Sequence, residues 1–583
     1  MSLVNIKING QALQVEEGIS VLEAAKKCQV KIPSLCYHPD LPAWAACGIC
    51  VVKVEKSPKM MRACVLPVSE GLSIITSDPE LVEVRRSVLQ LILATHPQEC
   101  LTCMRNQNCE LQRLSAEFGI RGIPFQMRTK NLPKDESTTS IVLDPNKCIL
   151  CGRCVSVCQN MQNVWALEFL SRGDNTRIAP AGDILLDDSP CIKCGQCSAH
   201  CPVGAIYEKD TTENVWKNLM DTDKTCIVQI APAVRVAMGE AFGLEPGTLT
   251  TGKIYKALKM LGFKAVFDTN FGADLTIMEE GSEFVERFTK HPERLPLITS
   301  CCPSWVDYLE KYYSEMIPLF STAKSPQAMV GALTKTYYAQ KKGLDPAKIF
   351  HISVMPCTAK KYEVQRDASM SSSGFQDIDC SITTRELSRM IKQAGIDFLN
   401  LPDEPADDPL GEYTGAGTIF GVTGGVLEAA IRTAHFLITK EELGDVNYTP
   451  VRGMDGIKEA TLTIAGKEVR IAVAHQMGNV QEVMERVKAA QEAGKEPPYH
   501  IIEVMACRGG CIGGGGQPYG ATDEIRKKRT EGLYKDDSIS KERCSYKNVS
   551  IQKLYKEFLG APLGEKSHHL LHTHYTPRPL YRK

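Results

Sequence analysis

Cysteine spacing is where this chain shows its chemistry. Two strings in its middle, Cys148-x2-Cys151-x2-Cys154-x3-Cys158 and Cys191-x2-Cys194-x2-Cys197-x3-Cys201-Pro202, repeat the ferredoxin pattern for two 4Fe-4S clusters. In that pattern the fourth cysteine of each string serves the other cluster. One cluster then takes Cys148, Cys151, Cys154 and Cys201, and the other takes Cys191, Cys194, Cys197 and Cys158. Zinc ribbons and disulfides need no such doubled spacing. A chain built this way moves single electrons.

Two further sets precede the double string. Cys36-x10-Cys47-x2-Cys50-x13-Cys64 fits a 2Fe-2S site, with a first gap longer than the plant-type spacing. His96-x3-Cys100-x2-Cys103-x5-Cys109 would suit zinc as well as iron. Its place between two iron–sulfur regions favours a 4Fe-4S cluster with one imidazole ligand, whose potential would be raised by the lost negative charge. Three separated motifs lie in the last part of the chain: Thr299-Ser300-Cys301-Cys302-Pro303-Ser304-Trp305, a second running from Met355-Pro356-Cys357 through Lys360 to Glu363, and a third running from Glu503 through Met505, Cys507 and Cys511 to the glycines 513–516. Four thiolates from these motifs can hold one more cubane. The glycine run indicates close backbone approach to something bulky.

The elements that must position these residues fall into modules. Residues 1–80 open with an alternating strand, an Asn-Gly turn and a second strand, then a helix over residues 21–28, which predicts a β-grasp ferredoxin. Residues 81–125 read as a small helical domain, 126–140 as a polar linker and 141–210 as the two-cluster ferredoxin. From 215 to 583 the texture is α/β: apolar strands near 226–230, 349–354, 469–473 and 501–504 alternate with amphipathic helices. The fold class is therefore multidomain α+β and α/β. Each late cysteine motif begins at or near a strand end, where open α/β sheets place ligands.

On these motifs the chain resembles the iron-only (FeFe) hydrogenases over essentially its whole length, and the order of modules matches. The segments 231–235, 267–274 and 415–421 are similar to that family too. The resemblance implies an H-cluster: a 4Fe-4S cubane on Cys302, Cys357, Cys507 and Cys511, with Cys511 bridging to a two-iron subcluster that carries CO, cyanide and an azadithiolate. Beside it stand three further 4Fe-4S clusters and one 2Fe-2S cluster. Lys360 would donate to a cyanide, Met355, Met505 and Phe420 would pack around the irons, and Pro232, Ala233, Pro356 and Gln327 would line the site. Ser304 stands where many members have glycine, and Ala233 where some have serine; neither change removes a ligand. The implied reaction is 2H⁺ + 2e⁻ ⇌ H2.

Cys301 resembles the family's first proton carrier, and Glu280, Ser321, Glu283 and Arg287 match the rest of a route to the surface. Glu280 and Glu283 are three apart, on one face of a helix. A thiol near ~8.5 and a carboxyl near ~4.3 differ by about 4 units, roughly 6 kcal/mol against the proton's passage. Burial of at least one glutamate, with a raised pKa, is therefore expected. Cys28, Cys226, Cys380 and Cys544 remain, and read as buried small hydrophobes.

The 583 residues carry a formal net charge of −1 and 24 cysteines. That balance gives no reason to expect nucleic acid or an anionic membrane. No export leader and no apolar run of about 18 residues is present in the sequence, so a cytoplasmic place, with cysteines as metal ligands, is expected. The basic run 526–529 reads as a solvated face, and the histidine-rich stretch 567–575 as a surface or interface tail like the small subunit's. No Gly-rich dinucleotide fingerprint follows a strand. Nicotinamide or flavin chemistry would thus sit on iron–sulfur partner subunits, as in electron-bifurcating hydrogenases. Ferredoxin is a further expected partner, along with maturation proteins. The alternatives are a ferredoxin-dependent monomer, an electron-transfer subunit like that of complex I, and a non-catalytic iron–sulfur assembly protein.

Overall fold

Alternation builds the first sheet. In strand Leu3–Ile8 every second side chain is buried, and the Asn9-Gly10 turn takes φ values of 52° and 82°. Two successive positive φ angles make the tight hairpin turn that returns the chain through Gln11–Glu16. Ser73–Ile75, Val51–Val54 and Met60–Arg62 complete a five-stranded mixed sheet. A capping box of Ser20 and Glu23 starts helix Val21–Lys27, which buries Val21, Leu22, Ala24 and Ala25. Cys28 caps that helix's end and is half-buried rather than buried, unlike Cys226, Cys380 and Cys544. The computed structural model describes residues 2–55, 57 and 59–582.

Helices Pro79–Ala94 and Glu110–Glu117 bracket the loop from His96 to Cys109. Residues 126–140, expected as a linker, are fastened down instead. Asp135 pairs with Leu143 and accepts from the Leu186 N–H at 2.7 Å, and Thr138 and Ser140 are buried. The next module pairs Ile141–Leu143 with Ile206–Glu208. Its two short helices begin after Gly152 and Gly195, both left-handed, with φ of 78° and 70°.

The remainder forms two four-stranded sheets. One runs Ala265–Asp268, Thr225–Ile230, Ile349–Met355, Cys380–Thr383, all parallel. The other runs Leu297–Ile298, Ile501–Met505, Lys467–His475 in parallel, with Ile457–Ile464 antiparallel at the edge. Ile349–Met355 and Ile501–Met505 are buried at every position, as parallel strands covered on both faces must be. Helix Thr269–Lys290 packs against Pro326–Leu333 and Gly425–Thr439. Among the described residues no helix is long and apolar enough to cross a membrane.

The modules are welded. Leu143, Val157 and Ile192 share one apolar core with Trp305, Ala472 and Val504. The run 526–529 is not a solvated face: Arg526 and Arg529 are buried while Lys527 and Lys528 point outward. Arg529 pairs with Glu240 at 2.7 Å. Arg526 pairs with Asp40 of the N-terminal module and with Asp523 at 2.7 Å, and Asp523 pairs with Arg508 at 2.6 Å. His38 and His200 flank Asp40, but the guanidinium already takes both of its carboxylate oxygens. Removing one partner of such a buried pair costs about 3–5 kcal/mol. Arg526→Ala should therefore loosen residues 1–80, read as faster limited proteolysis there with the rest of the chain unchanged; equal cleavage rates would refute the clamp.

Candidate active site and metal centres

Each cysteine set converges in space. Hydrogen bonds from Cys47 and Cys64 pull the Cys36 thiol well below its usual range, and Cys50 lies against Cys64. One void is lined by His96, Cys100, Cys103 and Cys109. A second is lined by Cys148, Cys151, Cys154 and Cys201, and a third by Cys158, Cys191, Cys194 and Cys197. The two strings thus exchange their fourth members. His96 Nδ1 is buried without a partner, and burial lowers the ring's pKa to about 4, which keeps it neutral as a ligand must be.

The three late motifs leave the C-terminal ends of parallel strands. Cys301 and Cys302 follow Leu297–Ile298, Cys357 follows Ile349–Met355, and Cys507 and Cys511 follow Ile501–Met505. Burial pushes the Cys507 thiol well up, and neighbouring Cys357, Cys302, Cys194 and Cys511 add to it. Burial, Cys302 and Cys357 raise Cys511 likewise. Met355, Pro356, Met505, Phe420, Pro232, Ala233 and Gln327 are all buried around these loops. Gly510, at φ 95°, has no room for a Cβ, which would stand 2.8 Å from Met505 Sδ.

Lys360 donates to the Cys301 carbonyl at 3.2 Å and to Glu363 at 2.8 Å. An ammonium has three donors, so one is left for the site. Burial opposes its charge, but the Glu363 carboxylate outweighs that and raises its pKa. Glu363 is itself fixed by Ser325 at 2.8 Å and Gln327 at 2.7 Å. The sequence motif contained Glu363 without a role; its i, i+3 spacing from Lys360 was the available signal.

Glu280 and Glu283 are both buried, so they are not exposed members of a charged face. Burial lifts the Glu280 carboxyl to about 7, despite a hydrogen bond from Ser321, and its Oε2 has no partner. The single Ser321 hydroxyl lies between the two glutamates and donates to Glu283 at 3.3 Å. Arg287 donates to Glu283 at 2.6 Å and to the carbonyls of Leu319, Phe320 and Arg294. Burial raises Cys301 well above an ordinary thiol, and the Glu280 charge adds to the effect. Glu503, which the sequence reading passed over, is buried and lifted to about 7. It accepts from the N–H groups of Gly424 at 2.6 Å and Leu427 at 2.8 Å, at the start of helix Gly425–Thr439.

The glycines 513–516 close on backbone rather than on open space. A Cβ at Gly515 would lie 2.4 Å from the Cys194 carbonyl, and one at Gly514 2.2 Å from the Pro356 carbonyl. Gln196 donates to Gly513 O at 2.9 Å, Gln162 to Ala506 O at 2.9 Å, and Thr358 to Lys193 O at 2.8 Å. The cluster loop at Cys194 is thus held directly against the loop of Cys507 and Cys511.

Residues 224–515 match the iron only hydrogenase large subunit, C-terminal domain. Over 99% of this chain and 100% of the relative, it is 47% identical to the NADP-reducing hydrogenase subunit HndD of Solidesulfovibrio fructosivorans. The chain belongs to the iron-only (FeFe) hydrogenases. It is an oxidoreductase acting on H2. Residues 523–578 match the iron hydrogenase small subunit, 2–79 a 2Fe-2S iron-sulfur cluster binding domain, 85–124 the iron-sulfur binding region of NADH-ubiquinone oxidoreductase-G, and 147–205 a 4Fe-4S dicluster domain. Iron hydrogenase 1 of Clostridium pasteurianum is 40% identical over 98% of this chain and 99% of its own. A solved structure of a variant of the apo FeFe-hydrogenase HydA1 from Chlamydomonas reinhardtii has 42% identity and a TM-score of 0.56, covering 63% of this chain and 99% of that one.

This hydrogenase's residues fit the groups its family carries. Four converging thiols, each raised first by desolvation and three of them further by their cysteine neighbours, suit an iron cubane, which takes them as thiolates. The protonated Lys360 leaves a cationic donor beside them, and Gly510 lets the backbone between Cys507 and Cys511 lie directly against Thr423 and Met505. The second, third and fourth cysteine sets offer the donors of cubanes, and the first those of a 2Fe-2S centre.

Proposed function

We propose that this hydrogenase holds the H-cluster on Cys302, Cys357, Cys507 and Cys511. Three further 4Fe-4S clusters and one 2Fe-2S cluster sit on the remaining sets, and the protein works as the H2-converting subunit of an electron-bifurcating, nicotinamide- and ferredoxin-linked complex. When bound, the H-cluster supplies the cleavage and formation of H2 from two protons and two electrons. The protein's own part is to deliver each.

For electrons, the void at Cys158, Cys191, Cys194 and Cys197 is the last station, and its loop is bonded to the Cys507 loop. Two inputs converge on the station before it. Trp44 of the first module packs 3.1 Å from the Cβ position of Gly152, and Cys103 Sγ lies 2.5 Å from that of Gly204. Such a fork suits a chain that exchanges electrons with more than one partner.

For protons, Cys301 hands on its S–H proton while taking one from Glu280, which is resupplied through Ser321 and Glu283. The raised carboxyl of Glu280 does not by itself make a stepwise transfer feasible, because burial raises Cys301 as well. A concerted exchange through the thiol avoids the thiolate. Arg287 cannot give up a proton at any working pH, so it holds Glu283 in place rather than carrying protons.

The complex-level reading rests on the full-length similarity to a subunit named as NADP-reducing. The test is H2-dependent dye reduction by the matured chain, repeated with NAD⁺ or NADP⁺ as sole acceptor and then with the co-purified partners. Dye reduction alone from the isolated chain, with nicotinamide reduction only in the complex, is expected. Nicotinamide reduction by the isolated chain would overturn the assignment. Ferredoxin reduction with no co-purifying partner would favour a single-chain enzyme.

A further inference from the structure

The last described segment of the chain is built into the proton route. Residues 571–575 lie along 321–324: Lys324 N–H donates to Leu571 O at 2.8 Å, Thr573 N–H to Thr322 O at 2.8 Å, and Tyr575 OH to Ser321 O at 2.9 Å. His572 is buried where this strap crosses the relay. Its Nδ1 is 2.8 Å from Thr322 Oγ1, and that hydroxyl is 3.4 Å from Glu283 Oε2. Its Nε2 is 3.1 Å from Glu279 Oε2. His568, one turn earlier on helix Glu565–Leu571, is exposed, and the two rings have centroids 4.2 Å apart.

Among the described residues Glu283 has three side-chain neighbours by hydrogen bond: Ser321, Thr322 and Arg287. Ser321 leads inward. Arg287 does not release protons. Only Thr322 leads outward, and its hydroxyl leads to an imidazole, the side chain suited to taking and releasing protons near neutral pH. We propose that His572 is a proton-relay residue that carries the route from Glu283, through the Thr322 hydroxyl, outward to the Glu279 side of its ring, beside the exposed His568. This rests on the Cys301–Glu280–Glu283 reading given above and extends it outward.

The transfer balances. The Glu283 O–H breaks as its proton goes to Thr322 Oγ1, while the Thr322 O–H breaks as its own proton goes to His572 Nδ1. Glu283 is left a carboxylate beside Arg287, Thr322 is unchanged, and His572 becomes an imidazolium, which returns to neutral by losing its Nε2 proton to the Glu279 carboxylate bonded there. The reverse order brings protons in. Glu279 faces the other side of the ring. Burial alone would raise its carboxyl, but the bonds from His572, Ser567 and Tyr555 outweigh it and hold the group low. It therefore offers the imidazolium a negative charge. The other charged groups facing the pair are Glu283 and Glu286.

His572→Phe and His572→Gln test this in the matured full-length chain. Gln keeps a donor and an acceptor but carries no proton, so it separates relay from scaffolding. Both variants are expected to lower dye-linked kcat about tenfold, with the KM for dye unchanged and the CO and cyanide infrared bands retained. Added imidazole should restore much of the rate, and the solvent isotope effect should rise. Wild-type kcat across the pH range in the Gln variant would overturn the proposal, as would loss that imidazole does not rescue. Full activity in Cys301→Ala or Glu283→Gln would instead refute the inner relay, whatever His572 does.

Discussion

Cys301→Ala and Glu280→Ala each abolish H2 turnover to within assay background, a loss of about 10²–10⁴-fold or more, while iron content and the spectra of all clusters stay as in the parent. Neither residue is among the ligands proposed for any cluster, so the metal sites should assemble without them. The loss would be in proton supply alone. A variant of either kind with parental turnover would sink the relay. Glu280 also carries a stability signature of opposite sign to activity. Its folded carboxyl sits at about 7 against an ordinary 4.5, so the fold prefers the neutral acid. The penalty is absent below pH 4.5, grows as pH rises and is complete above about 7, where it amounts to about 3 kcal/mol. Glu280→Gln removes it. The Tm gain of Glu280→Gln over the parent should therefore be larger at pH 8 than at pH 5.5. A constant gain would mean that the carboxyl is not raised.

Cys511→Ala should remove the whole catalytic enhancement, about 10⁶-fold or more for an ordinary enzyme, and leave the four other centres in place. Cys511 stands among the groups that mark the proposed active site. Burial and the neighbouring Cys302 and Cys357 raise its thiol, the Lys360 charge opposes that rise, and its charge is felt at Cys301. The expected readout is absence of CO and cyanide infrared bands after maturation, with the reduced-state signals of the remaining clusters preserved. Retained bands with lost activity would place the two-iron anchor elsewhere.

What the sequence made readable was local. The ligand strings, the Asn9-Gly10 hairpin and the i, i+3 pair at Glu280 and Glu283 are all short-range patterns, and spacing carries them. The strands at 265–268 and 380–383 are four-residue pieces too short for periodicity to show. The tie of Asp40 to Arg526, and of Glu283 to His572 through Thr322, joins residues hundreds of positions apart, so composition gave Arg526 a solvated face and His572 a surface or interface tail. Glu503 was hidden because it sits inside a strand whose other members are apolar. The glycines 513–516 were read correctly as close approach, but the approach is to the Cys194 loop and Pro356, which no local pattern could name.

That seam of bare backbone has an architectural consequence. Where Gly513 O, Ala506 O and Lys193 O are each capped by a side chain from the opposite module, neither half presents a finished exterior. Cutting the chain between residues 210 and 220 would strand those carbonyls and open a shared apolar interior to water. Shedding the electron-carrying half of this chain is therefore expected to destabilise the catalytic half. A shortened version of this enzyme would need new partners for the exposed Gly513 and Ala506 carbonyls before it could live alone.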